Sequence, residues 1–260
     1  MEKFYLFILF FLGMLVMWVI LTFYNKFKIN RKGKSSMSET ETFPESSMKA
    51  ESVLTKATED SSNAIIMISK AYYLGISGFH SGNTKLLGEI ETETEEFNQR
   101  VRRLKANMLM VIQQLQQDSI ETGHYYVQIV DYLREMAHSI RYVVHPLTEH
   151  MMNNHQPFAE DQNTELTLFS SQVTDFLNFA LHIIKESRFE QIEELILKRQ
   201  EVLELMREQE KSQIRRIRKK ETNSRNSVLY FGVMAETKNL LLQTVNLLKA
   251  TRDFVSYTKS

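Results

Sequence analysis

The chain has no cysteine among its 260 residues, three prolines, eight glycines and a single tryptophan. Thiol catalysis, disulfide staples and Cys-ligated zinc are therefore excluded. It also has no Gly-rich phosphate loop, no G-x-S-x-G elbow and no H-E-x-x-H pair. The usual signatures of nucleotide, serine-hydrolase and zinc-protease chemistry are thus lacking, and the chain reads as a non-enzyme. After Pro44 only Pro146 and Pro157 occur. β-Branched residues seldom cluster and apolar residues recur at helical spacing, so the expected fold class is all-α.

What is present begins with an apolar run. Residues 4–24 carry no charge, and Lys26, Lys28, Arg31, Lys32 and Lys34 follow at once. At 1.5 Å per helical residue the run covers roughly the 30 Å hydrocarbon thickness of a bilayer. Trp18, Tyr5 and Tyr24 supply amphipathic rings near its ends. A cleaved signal peptide fits worse, because no small-x-small site follows Tyr24 before the basic cluster. Residues 1–24 are read as a single transmembrane anchor, and the five cations as a membrane-surface segment. They place the N-terminus outside and the C-terminal part in the cytoplasm.

Overall the chain has 32 basic and 32 acidic residues, but six basic and one acidic lie within residues 1–34. The remainder holds 26 and 31, a net of minus five. It is not a general polyanion binder, and nucleic acid is not an expected partner. Residues 25–48 are basic, then rich in Ser, Thr and Glu, with little to bury, and read as a linker.

Six helices are expected after the linker. The first spans 49–78 and ends at the breakers Ser81, Gly82 and Asn83. In the second, Phe97, Val101, Leu104, Met108, Val111 and Leu115 keep one face; a break is expected at Glu121, Thr122 and Gly123. Val130, Leu133, Ala137, Ile140 and Val144 define the buried side of the third, and residues 153–157 form the longest loop. Leu166, Phe169, Val173, Phe176, Ala180 and Ile183 mark the fourth helix. Phe189, Ile192, Leu195, Val202 and Met206 mark the fifth. Met234, Leu241, Val245 and Leu248 mark the sixth. Two triplets about one loop suggest a duplicated unit, 49–155 and 158–258, carried more by length and order than by identity.

The third helix holds the most chemistry. At 100° per residue, Asp131, Glu135, His138, Tyr142, His145 and Glu149 fall within an arc of about 80°, opposite Leu133, Met136, Ile140 and Leu147. Carboxylates and imidazole at this spacing, Asp131, Glu135 and His138 above all, are candidates to share a divalent cation or to face a partner. The competing reading is the solvated side of an amphipathic helix. Pro146 is expected to bend the helix after His145. His145, His150 and His155 are five apart and diverge if helical, unless a loop beyond Met152 folds the last two together.

Residues 211–225 hold seven basic residues and one acid, Glu221. Arg215, Arg216, Arg218, Lys219 and Lys220 form a candidate partner or lipid patch. The alternative is a solvated helix C-terminus whose cations complement the dipole. No aromatic residue alternates with these charges as a nucleic-acid surface would require.

The run Thr122-Gly123-His124-Tyr125-Tyr126-Val127-Gln128-Ile129-Val130-Asp131-Tyr132-Leu133-Arg134-Glu135-Met136, with Asn153-Asn154-His155, resembles the cytoplasmic C-terminal region of bacterial inorganic phosphate permeases. So do Ser227-Val228-Leu229-Tyr230 and Ala235-Glu236-Thr237-Lys238-Asn239-Leu240-Leu241. That region is similar to the PhoU domain, and the resemblance covers roughly residues 50–258. It implies two three-helix repeats, a phosphate transporter or permease subunit as partner, and metal held by E/D-x-x-x-D motifs on the third helix of each repeat. Asp131 and Glu135 preserve that spacing, whereas Glu236 is followed four residues later by Leu240. A lost or weak metal site is expected, with no other cofactor. The permeases also have many spans and paired G-A-N-D-type signatures, which this chain lacks, so alone it cannot form a transport path.

The expected function is a membrane-anchored PhoU-like accessory or regulator of phosphate transport, acting by docking, with homo-oligomerisation left open. The alternative is a single-span helical signalling or scaffold protein unrelated to phosphate. A carboxylate-bridged metal enzyme would need several Glu-x-x-His pairs on facing helices, and Glu135-x-x-His138 is a candidate for one of them.

Overall fold

The computed structural model describes residues 49–115 and 120–259. The described residues belong to one compact unit, Ser46–Ser260. The expected anchor and linker, with Lys26, Lys28, Arg31, Lys32 and Lys34, lie outside the described residues. Among those described there is no β-strand, and no helix is long and apolar enough to cross a membrane.

Among the described residues six α-helices follow one another: α1 (Ala50–His80), α2 (Thr84–Gln114), α3 (Ile120–Met152), α4 (Glu160–Lys185), α5 (Ile192–Lys219) and α6 (Ser224–Lys259). A 3₁₀ turn, Phe189–Gln191, precedes α5. The order and number agree with the periodicity. One boundary does not: Glu121, Thr122 and Gly123 are not a break but the first turn of α3. Gly123 is tolerated there, and a Cβ on it would stand 3.6 Å from Ile112 of α2. Pro146 does not end the helix either; α3 runs through it to Met152.

Four helices stop the same way. After α1, α3, α4 and α5 a residue turns left-handed: Gly82, Asn154, Ser187 and Lys220, at φ of 66°, 52°, 53° and 59°. The next N–H then reaches back five residues: Asn83 to Gly78 O, His155 to His150 O, Arg188 to Ile183 O and Glu221 to Arg216 O, all within 2.9–3.2 Å. This double closure satisfies carbonyls the helix leaves bare. Glycine occupies the position once; at the other three a side chain bears the left-handed strain. Asn83 then caps α2, its Oδ1 accepting from Leu86 N at 3.0 Å.

The packing has an order. α1, α2 and α3 contact one another, as do α4, α5 and α6. Between the triplets α3 lies along α6 and α1 along α4, with a smaller contact of α1 on α6; α2 and α5 stay on the flanks. Helices of like position in the two triplets meet. Polar cross-links join both like pairs: Ser69 Oγ donates to Asn178 Oδ1 at 3.2 Å and His80 Nδ1–H to Thr167 Oγ1 at 3.0 Å between α1 and α4, and Asn239 Nδ2 donates to Ser139 Oγ at 2.8 Å between α6 and α3. Tyr72 adds another between α1 and α6. Thr237 Oγ1 donates to Val233 O, so the Tyr72 hydroxyl donates to Thr237, 2.8 Å away. Burial pushes the Tyr72 pKa well up, against the opposing pull of that bond.

The core is continuous across the triplets. Leu133, Met136, Ile140 and Leu147 of α3, and Leu166, Phe169, Val173 and Phe176 of α4, are all buried, as are Met234, Leu241, Val245 and Leu248 of α6. Buried Ser61, Thr94, Thr148, Thr244 and Thr251 return their hydroxyl protons to the carbonyl four residues back. α2 is the loosest element. Phe97, Val101 and Val111 are buried, but Leu104, Met108 and Leu115 are half-covered, and Leu109 and Met110 face solvent.

Candidate functional site

The polar stripe of α3 lies on the outside of its triplet, and its members do not converge. Asp131 holds Lys105 of α2 at 2.7 Å, and Glu135 faces Arg134 at 3.6 Å. His138 is exposed, its ring 4.2 Å from that of Tyr142. Among the described residues no group of three or more His, Asp or Glu comes together around one point. Further along, a cleft of about 450 Å³ opens between α2 and α3 beside Glu91, Glu95 and Glu96. Its acids are partly claimed: Arg141 binds Glu95 at 2.8 Å and His145 binds Glu91 at 2.5 Å.

A larger feature is the groove between the second half of α3 and the first half of α6, of about 850 Å³. Tyr142, Pro146 and Glu149 line the α3 wall; Val228, Leu229, Gly232, Val233 and Glu236 line the α6 wall. Pro146 has no N–H for the Tyr142 carbonyl, which is left without its helical donor. Gly232 keeps the groove open, since a Cβ there would meet nothing within 4 Å. The walls are largely apolar and the ends polar.

One end is closed by the loop after α3. The left-handed turn at Asn154 brings the His155 ring to 5.2 Å from that of His150. The two imidazoles therefore meet, and the divergence expected for a continuing helix is corrected by that turn. His150 is buried against Phe79 and Phe158, and its Nε2–H donates to Gln156 O at 2.9 Å. α6 holds the loop from the other side: Asn226 Nδ2 donates to Pro157 O and Asn223 Nδ2 to Gln156 Oε1. The Arg225 guanidinium lies against the His155 ring. Partial desolvation, then the Arg225 charge and His150, lower the His155 pKa, and Glu149 opposes them.

The basic run divides in two. Arg215, Arg218, Lys219 and Lys220 are exposed, but Arg216 is 7% exposed and does not belong to that surface. It points inward because Val202, Met206, Gln209, Gln213 and Arg216 continue the buried face of α5 at three- and four-residue steps. There Nε donates to Asp161 and Nη2 to Glu165, both at 2.6 Å, and Nη1 to Gln213 Oε1 at 3.3 Å. Gln162 donates to Gln213 at 2.8 Å, Gln213 to Ser227 at 3.1 Å, and Tyr230 to Glu165 at 3.1 Å. Burial works against the Arg216 charge, but Glu165 and Asp161 outweigh it and raise its pKa. Burial, with Glu165 beside it, likewise drives the Tyr230 pKa up.

Sequence reasoning missed the Arg216 network and the groove. The register of Val202, Met206, Gln209 and Gln213 carried the first signal; the groove needs Gly232 and the α3–α6 pairing, which no local pattern announces. Comparison with known proteins assigns no family: no family model matches the chain, and no curated protein matches it.

Proposed function

We propose that the chain is a membrane-anchored, PhoU-like docking protein that accompanies or regulates inorganic phosphate uptake. The observation that supports this most is the grouping of the described helices into two sets of three, the organisation the resemblance implies, which here pack through α1 on α4 and α3 on α6. That packing leaves the groove beside Tyr142, Gly232 and Glu236, where a cytoplasmic segment of a transporter would seat. Its apolar walls would supply the burial and its charged ends the register. The protein would act by binding rather than by catalysis, through the different affinity of the groove for two states of its partner.

The lack of cysteine makes the test direct. A Val228→Cys variant carrying a photo-crosslinker places one reactive group in the groove. Illumination in membranes is expected to yield an adduct containing a phosphate transporter subunit, lost in Gly232→Trp, where the groove is filled. Deleting the gene is expected to alter phosphate uptake. An unchanged uptake together with an adduct to a protein unrelated to transport would sink the phosphate reading and leave a general scaffold.

A further inference from the structure

We infer that the C-terminal half of α5 is a docking surface for an anionic lipid bilayer. The inference does not rest on the partner of the groove, which lies between other helices. With Arg216 turned inward, the outward face of α5 shows an alternation hidden in the bare charge run. Ile214 and Ile217, one turn apart, are 45% and 43% exposed. Arg218 lies beside Ile214 at the next turn. Lys211, which Glu208 holds at 2.8 Å, and Arg215 extend the cationic side beyond Ile214 within the same half of the helix circumference. Glu210 and Glu221 stand before and after the pair. Arg215, Arg218, Lys219 and Lys220 are all exposed, and from residue 211 to 220 there is no acidic residue.

Two adjacent β-branched aliphatic side chains on a solvated helix face are costly to leave in water, at roughly 25 cal/mol for each Å² of apolar surface. A phosphate-bearing interface with hydrocarbon beneath it accommodates both features. The isoleucines enter the headgroup boundary and the cations meet lipid phosphates. A nucleic acid would satisfy only the cations: no aromatic ring alternates with them to stack on a base, and residues 35–260 carry a net charge of minus five. Leu197 gives the internal contrast. It is an isolated exposed aliphatic, 59% accessible, earlier on the same helix, among Glu193, Glu194 and Glu201, and offers nothing to an anionic surface.

The full chain is tested as Ile217→Cys and, separately, Leu197→Cys, each bearing an environment-sensitive fluorophore. Each is mixed with vesicles of phosphatidylcholine alone or with phosphatidylserine added. The label at 217 is expected to shift to the blue and brighten only with phosphatidylserine, and to revert in high salt; the label at 197 is expected to stay unchanged. Arg218→Gln and Lys219→Gln should each lower the ratio of docked to free label about fivefold, from about 1 kcal/mol per surface cation. Arg215→Glu with Arg218→Glu, helical by circular dichroism, should abolish the shift. Equal emission at 217 in both lipids overturns the inference, as does a response to duplex DNA with none to anionic vesicles.

Discussion

The two triplets have the same helix order but place their polar cross-links differently. In the first, α2 is tied to its neighbours at the surface, by Lys70–Glu93, Lys105–Asp131, Arg141–Glu95 and His145–Glu91, with side chains 29–50% exposed. In the second, α4, α5 and α6 converge on one buried cation, Arg216, with Asp161, Glu165, Gln213 and Tyr230 around it. One backbone plan therefore admits two solutions. Surface pairs stay hydrated, contribute little and weaken with salt, whereas a buried charge becomes indispensable once its partners are in place.

The largest effect should come from Arg216→Met. Glu165 and Asp161 remain partly hydrated, 27% and 60% exposed, so the loss sits near the lower end for a broken buried pair, about 3 kcal/mol. For a domain of this size that lowers Tm by roughly 6–12 °C. Thermal melting followed by circular dichroism reads it, with Arg215→Met, one residue away on the exposed face, expected to move Tm hardly at all. Equal melting of the two would erase the contrast between buried and exposed cations.

Next come the links between the triplets and the turns that match across them. Tyr72→Phe removes a buried hydroxyl donated to Thr237, at a cost of about 1 kcal/mol; denaturant unfolding should show a lower midpoint at constant slope. The turns after α1 and α4 occupy equivalent places, yet one uses Gly82 and the other Ser187 in the same left-handed conformation. Exchanging them should move stability in opposite directions: Ser187→Gly up and Gly82→Ser down, each by roughly 1 kcal/mol. Equal signs would show that the ends are not equivalent. In the first triplet Arg141→Gln should cost about 0.2–1 kcal/mol, shrinking in salt.

How much of this was legible follows the same division. Helix number and buried faces were, because Leu133, Ile140, Phe169 and Leu241 sit on stripes that only a helix collects on one side. Helix ends were less so. Gly82 announces its turn, but Ser187 and Lys220 adopt the same conformation without a residue type that advertises it, and Gly123 suggested a break inside a helix. Charge was the hardest to place. Arg216 looks like its neighbours in the run 215–220, and only its register with Val202, Met206, Gln209 and Gln213 turns it inward. The stripe from Asp131 to Glu149 is real as a face, but its first members are matched by Lys105 and Arg134 rather than gathered.

The smallest effect separates the two histidines that answer each other across the molecule's polar devices. His145 faces a carboxylate, Glu91; His155 faces a guanidinium, Arg225. The folded state holds the His155 pKa below that of a free imidazole, about 6.5. As pH falls through that value the unfolded chain takes up a proton that the folded chain refuses, so this group's contribution is present above it and is lost on acidification. The loss stops once the folded-state pKa is passed. Partial desolvation first, then Arg225 from α6 and His150 from α3, set this direction, with Glu149 of α3 opposing. Wild type should therefore lose more Tm than His155→Gln between a unit above and a unit below the free-imidazole value, and Arg225→Gln should fall between them. Identical slopes in all three would mean that the loop after α3 does not feel the charge at the start of α6, and that the end of the groove is not held by this contact.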